Sequence, residues 1–144
     1  MDIRPMTADH IPSLAALEAV CFADPWSEAA LAEELSNPAA VFLVATEGEQ
    51  VLGYVGMHRI LDEGYIANIA VSPAARRQGV ARRLLGALDA YGREHALARL
   101  TLEVRASNAP AIALYEGGGW VKDGVRPGFY SHPAEDAVIY SRYF

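Results

Sequence analysis

The sequence contains a single cysteine, Cys21, in 144 residues. No internal disulfide is available, and the chain reads as one suited to a reducing compartment. It also lacks any apolar run of membrane-spanning length, and its start, MDIRPM, has no charged-then-apolar export profile. The expectation is a cytoplasmic protein with no membrane partner. Basic residues are few: 12 Lys and Arg stand against 18 Asp and Glu, a formal net charge of −6. That balance argues against general nucleic-acid binding, which needs a basic footprint, and suits a cationic partner. His10, His58, His95 and His132 show no metal-ligand spacing, and no G-x-S-x-G elbow occurs. Neither a metal nor a covalent enzyme intermediate is expected. The GxGxxG fingerprint and the Gly-Lys-Ser/Thr phosphate loop are missing too.

What is present has globular character, with 52% hydrophobic and 21% charged residues, enough for a sizeable core. No repeat, low-complexity tract or linker divides the chain, so residues 1–144 are expected to form one domain. DIRPM reads as a first strand, followed by a helix from about Ala8 to Phe22 with Thr7 as N-cap and Leu14, Leu17 and Cys21 at helical spacing. After Asp24-Pro25-Trp26, Ser27 caps a second helix, Glu28 to Leu35, which Asn37-Pro38 stops. VFLVAT and VLGYVGMHRI form a hairpin through Glu47-Gly48-Glu49, and YIANIAV adds a further strand. Val80, Leu84, Leu85, Leu88 and Tyr91 mark a third helix by their apolar stripe. RLTLEV, Arg99 to Val104, alternates as a strand. A short helix from Ala109 to Glu116 ends at Gly117-Gly118-Gly119. Two last strands, Trp120 to Val125 and Val138 to Arg142, flank a loop bearing Pro and Gly. The order β-α-α-β-β-β-α-β-α-β-β predicts an α/β layered domain with a mixed sheet.

The scarce positive charge is concentrated. Arg76, Arg77, Arg82 and Arg83 fall within eight residues, where a strand gives way to a helix through Gly79. Helix N-termini carry unpaired N–H groups and a dipole that favours anions. A glycine lets an anion approach the backbone, and arginines add charge-assisted bonds. Arg76-Arg77-Gln78-Gly79-Val80-Ala81 supplies each of these parts; the alternative is a solvated basic turn.

Arg76-x-x-Gly79-x-Ala81 resembles the R/Q-x-x-G-x-G/A pyrophosphate motif of the Gcn5-related N-acetyltransferase (GNAT) superfamily. The strand YIANIAV before it and LEVRASNAPAIALYE after it extend the resemblance over most of the chain. Within the superfamily the chain looks most like the ribosomal-protein-alanine N-acetyltransferases of the RimI type, which carry a similar PWS, NIAV and LEVRASN-x-x-AIALYE. The resemblance implies a GNAT fold: a mixed, mostly antiparallel central sheet of about seven strands flanked by about four helices. It also implies an acetyl-CoA site. Amides of Gln78, Gly79, Val80, Ala81 and Arg82, with Arg76 and Arg77, would hold the pyrophosphate. The edge of Ile69, Ala70 and Val71 would pair with the pantetheine arm and lend an N–H to the oxyanion. Ala81 replaces a frequent glycine, and Trp120 stands where relatives often have Phe.

The resemblance further implies that Glu103 is the general base, through water, and Tyr115 the acid for the departing thiolate. By residue type alone, Glu103 also reads as a surface acid paired with Arg105, and Tyr115 as a half-buried ring with its hydroxyl satisfied by backbone. A phenol of pKa about 10 suits thiolate protonation. Asn108 is placed to cap the short helix and touch the pantetheine. Trp26 and Tyr130 read equally as groove residues and core anchors. The acids Glu33, Glu34, Asp62, Glu63, Glu135 and Asp136 are either an attraction for a basic peptide or a solvated surface. The expected activity is transfer of acetyl to a protein N-terminal amine, an alanine of a basic ribosomal protein. Lysine side chains, small amines, or CoA binding without catalysis are the alternatives.

Overall fold

The computed structural model describes all 144 residues. Seven strands form one sheet: β1 (Asp2–Pro5), β2 (Ala40–Glu47), β3 (Gln50–Ile60), β4 (Glu63–Val71), β5 (Arg99–Arg105), β6 (Val121–Ser131) and β7 (Ala134–Tyr143). Their spatial order is β1-β2-β3-β4-β5-β7-β6, antiparallel throughout except for β4 beside β5. Four α-helices flank it: α1 (Ile11–Cys21), α2 (Glu28–Glu34), α3 (Val80–Glu94) and α4 (Ala109–Gly117). No helix is long and apolar enough to cross a membrane.

The two faces of the sheet bury separate cores. On one, Leu14 and Leu17 of α1 and Leu31 of α2 pack on Phe42, Val44 and Tyr54. On the other, the α3 stripe of Val80, Leu84, Leu85 and Leu88 meets Val55, Met57, Leu100 and Leu102. The period-3.6 stripe predicted from sequence is therefore the buried face of α3, and Leu100, Leu102 and Val104 are the buried face of β5. Tyr115 and Trp120 join this second core from the α4 side.

Local chemistry sets the boundaries. The Ser27 hydroxyl accepts from Ala30 N–H at 3.1 Å, and Asn108 Oδ1 accepts from Ala111 N–H at 3.2 Å, so α2 and α4 are capped as predicted. The first helix differs. Pro12 forbids an earlier regular turn, and Ala8–His10 is a separate 3-10 turn before α1. The Thr7 backbone N–H is taken by His10 Nδ1 at 3.0 Å. The predicted Pro/Gly loop near residues 126–137 is also revised: β6 and β7 run on through it as a long hairpin, turning only at His132-Pro133. A register irregularity between Arg126 and Tyr130 absorbs Pro127 and Gly128, which is how a strand accommodates a residue without an N–H.

The feature that creates the site is a divergence. β4 and β5 pair only at Glu63–Arg99, Gly64–Leu100 and Tyr65–Thr101, after which no pairing continues. From Ile66 to Val71 the β4 edge is left without a strand partner on that side. A β-bulge at the Gly56/Met57 step of the β3 register marks the same position.

Candidate active site

Antiparallel neighbours alternate between residue pairs that exchange both backbone bonds and pairs that exchange none. Ser72 N–H donates to Leu52 O at 2.8 Å, and the register pairs Tyr54 with Ala70 and Gly56 with Asn68. Ala70 and Asn68 therefore spend their backbone groups on β3. Ile69 and Val71 direct theirs toward the open edge, where the Ile69 N–H donates to Asn68 Oδ1 at 3.1 Å and the Val71 carbonyl accepts from the Cys21 thiol at 3.7 Å. Of the three edge residues expected from sequence, only Ile69 and Val71 offer N–H and C=O groups; Ala70 is in the ladder, and its side chain is buried under α1.

The divergence opens a cleft of about 590 Å³. Ile69, Glu103, Asn108 and Tyr115 all line it, so the structure brings together the residues singled out from the β4, β5 and α4 segments. Glu103 is not paired with Arg105. Its side chain is 8% exposed and meets Arg126 Nε at 3.0 Å, while Arg105 turns to Glu135 and to the carbonyls of His132 and Pro133. Burial pushes the Tyr65 phenol up, helped by its hydrogen bond to Glu103, so Tyr65 remains a neutral donor beside that carboxylate. The Tyr115 ring is buried against Trp120 and Tyr140, with centroids 5.7 and 6.1 Å away. No backbone carbonyl takes its hydroxyl, and burial, with a smaller contribution from Tyr130, pushes its pKa up to about 12.

The arginine loop stands at the head of α3. Arg77 and Gly79 both adopt left-handed backbone, φ 64° and 77°. For Gly79 this costs little; for Arg77 it stores about 1 kcal/mol of strain. Gly79 is the N-cap, and it supplies no side-chain acceptor to the first turn of α3, unlike Ser27 and Asn108 at their helices. A Cβ built on Gly79 would meet nothing within 4 Å, so the approach to these amides is open. A depression of about 570 Å³ lined by Gln78, Gly79, Arg82 and Arg83 continues from it. Carboxylates pair with Arg4, Arg93, Arg99, Arg105, Arg126 and Arg142, and none pairs with Arg76, Arg77, Arg82 or Arg83. Val80 presents only its backbone here, because its side chain is buried in the α3 core. Ala81 is half-buried in the same turn.

Sequence reasoning missed several neighbours. Glu18 of α1 is fully buried; its Oε1 accepts from Trp26 N–H at 2.9 Å, and its Oε2 accepts from Tyr54 OH at 2.9 Å and Asn68 Nδ2 at 2.8 Å. Its position two turns from Ile11 and one from Leu14, inside the apolar stripe, is the available signal. Trp26 serves as a half-buried anchor on Phe42, 5.8 Å between centroids. Tyr130 belongs to β6 rather than a connection, lies beneath the Arg105 guanidinium at 4.3 Å, and lines the cleft. His132 Nδ1 meets Asp24 at 3.0 Å and ties the β6–β7 turn to the segment after α1; both residues line the cleft.

Chemically, the cleft offers a strand edge for an extended ligand together with a carboxylate and a phenol, and the separate depression at the head of α3 offers a helix N-terminus with arginines that no carboxylate pairs. Comparison with known proteins gives the same picture. The family model described as "Acetyltransferase (GNAT) family" matches residues 11–119. The [ribosomal protein bS18]-alanine N-acetyltransferase of Escherichia coli K12 is 35% identical over 139 residues, 95% of this chain and 93% of that protein. The N-alpha-acetyltransferase RimI of Mycobacterium tuberculosis is 35% identical over 146 residues, 97% and 90% of the two chains. The crystal structure of the ribosomal-protein-S18-alanine N-acetyltransferase from Escherichia coli superposes with a TM-score of 0.90 at 33% identity, covering 99% of this chain and 92% of that one. With a diverged β4–β5 pair, an anion-ready turn at α3 and these matches over most of its length, the chain belongs to the acetyltransferase (GNAT) family.

Proposed function

We propose that this protein transfers the acetyl group of acetyl-CoA directly to the N-terminal α-amine of a protein, an N-terminal alanine of a ribosomal protein, as a single cytoplasmic N-acetyltransferase domain spanning residues 1–144. The observation that carries the reading is the cleft itself: Ile69 of the open β4 edge, Glu103 and Tyr115 line one cavity. The named activities of the Escherichia coli and Mycobacterium tuberculosis relatives support the acceptor.

The residues fit the donor. The amides of Gln78, Gly79, Ala81 and Arg82, with that of Val80, receive the pyrophosphate, and Arg76, Arg77 and Arg82 neutralise it. The Ile69 and Val71 backbone groups extend the sheet onto the pantetheine arm. Asn108 Oδ1 is committed to its helix cap, which leaves its Nδ2 for the pantetheine amides. Bound acetyl-CoA supplies an activated acyl carbon.

Glu103, through a water, takes a proton from the acceptor ammonium; the freed amine nitrogen bonds to the acyl carbon, the carbon–sulfur bond breaks, and the nitrogen gives up its second surplus proton, which replaces the one Tyr115 hands to the sulfur. The Ile69 N–H donates to the acyl oxygen as its charge grows. At about 12, Tyr115 keeps its proton at every physiological pH. It acts as a hydrogen-bond donor that hands a proton to the sulfur only as the thiolate leaves, rather than as a matched acid of pKa 10.

The test is a peptide series. A peptide with a free N-terminal alanine should yield free CoA thiol and an α-N-acetyl mark located by mass spectrometry. Activity that survives N-terminal blocking and follows a free lysine would overturn the acceptor; absence of thiol release with every amine would overturn the reaction.

A further inference from the structure

Glu18 has no part in the chemistry described above, yet it is a charge removed from water. Burial raises its pKa, opposed by the hydrogen bonds from Trp26 and Tyr54. Apolar side chains of similar volume would fill this position without a desolvation cost, so stability alone does not account for a carboxylate here. What the carboxylate does is accept three hydrogen bonds from three different segments. Two of those segments wall the cleft: the connection between α1 and α2, whose residues Phe22 to Asp24 line it, and β4 at Asn68.

Asn68 makes the arrangement directional. Its side-chain amide has a donor end and an acceptor end. Nδ2 donates to Glu18 Oε2 at 2.8 Å, and Oδ1 accepts from the Ile69 N–H at 3.1 Å. A carboxylate only accepts, so Glu18 fixes which end of the Asn68 amide faces it, and the oxygen must then face Ile69. The Ile69 N–H is the open-edge donor that the acyl oxygen meets. Before any ligand arrives this N–H is held on Asn68 Oδ1, so the acyl oxygen joins or replaces Oδ1 on a donor whose direction Asn68 sets.

We propose that Glu18 is a positioning residue for acetyl transfer: through Asn68 it holds the Ile69 N–H in its donating direction, and through the Trp26 N–H it holds the entry segment against the same anchor. The inference rests on the acetyl-transfer reading above. Glu18→Gln keeps the shape but offers one accepting oxygen and one NH2 group. Whichever way the amide turns, either the Trp26 N–H loses its acceptor or Asn68 turns over and presents NH2 to the Ile69 N–H.

The test uses the full chain with acetyl-CoA and an N-terminal-alanine peptide, well below the melting temperature. Glu18→Gln should lower kcat about tenfold to a hundredfold, with KM for acetyl-CoA unchanged within about threefold. In an Asn68→Ala background, Glu18→Gln should change kcat by less than about twofold, because the relay is already cut. A merely structural role would lower the melting temperature and leave this kcat cycle additive. A folded Glu18→Gln variant with kcat within about twofold of the unmodified protein overturns the proposal, as does an effect confined to KM. If Glu18→Gln does not fold, Asn68→Ala alone decides: undiminished kcat there overturns it. Failure of the unmodified protein to release thiol sinks the reaction itself, a different result from turnover that ignores Glu18.

Discussion

Glu103 and Arg126 form an ion pair at 3.0 Å in which the carboxylate is 8% exposed and the guanidinium 58%. The acid is held inside the cleft by a base that reaches in from β6, the edge strand of the sheet. This pairing defines the direction of the carboxylate, a property that the proposed proton acceptor, working through water, needs.

Arg126→Ala removes the cation that orients the Glu103 carboxylate and should lower kcat about tenfold with CoA affinity unchanged. Folding stability should change by less than about 1 kcal/mol, because the arginine is largely solvated. Steady-state kinetics and a urea melt check the two halves. Glu103→Gln should reduce kcat about a hundredfold while CoA binding by calorimetry persists.

Tyr115→Phe should lower kcat at constant CoA affinity, and the intact enzyme should show no alkaline fall in kcat between pH 7 and 10. The folded pKa of about 12 lies above the unfolded value of about 10. The stabilising contribution of the neutral phenol is thus complete below pH 10 and is lost as pH rises through about 12. Tyr54, Tyr65, Tyr130 and Tyr140 shift in the same direction, Tyr54, Tyr65 and Tyr130 chiefly through burial and Tyr140 chiefly through its bond to Glu116. An ultraviolet titration should find phenolate absorbance rising together with loss of helical ellipticity above pH 10.

Gly79→Ala should cost about 1 kcal/mol of folding free energy from the left-handed backbone alone, as no neighbour obstructs the added methyl. Affinity for CoA should fall by more than this predicts, because the methyl occupies the approach to the first-turn amides. Differential scanning calorimetry and isothermal titration separate the two effects. Arg77→Ala should weaken CoA binding mainly at low salt, in keeping with screened electrostatics.

Saturating CoA should raise the melting temperature by roughly 10 °C at a hundredfold excess over Kd. A ligand that supplies the missing edge partner stabilises only the folded state. No shift with either CoA or acetyl-CoA would remove the cleft as their site.

Much of this was legible in the residues. The α3 stripe, the alternation of RLTLEV, and the Ser27 and Asn108 caps are local signals, and each stands where the pattern placed it. The clustered arginines were legible as well, because an acidic chain rarely concentrates its positive charge without reason. The divergence of β4 from β5 was not legible, since it depends on where a parallel pairing stops rather than on any residue type. Glu18 escaped for a different reason: a helix apolar on most sides gives no contrast by which to notice one acid in its buried stripe. The two last strands are legible, but the stretch between them reads as a loop because Pro127 and Gly128 normally break strands, and an irregular register lets β6 absorb them. The alternative for Glu103, a pairing with the adjacent Arg105, is not made, because its partner comes from a strand distant in sequence.

The unpaired stretch of β4 recognises an extended amide-bearing arm and not what hangs from its end. Spent and loaded carriers complete the sheet equally well on that criterion. Such a catalyst is throttled by its own by-product, so its pace in a cell follows the proportion of carrier that is charged more closely than the total amount.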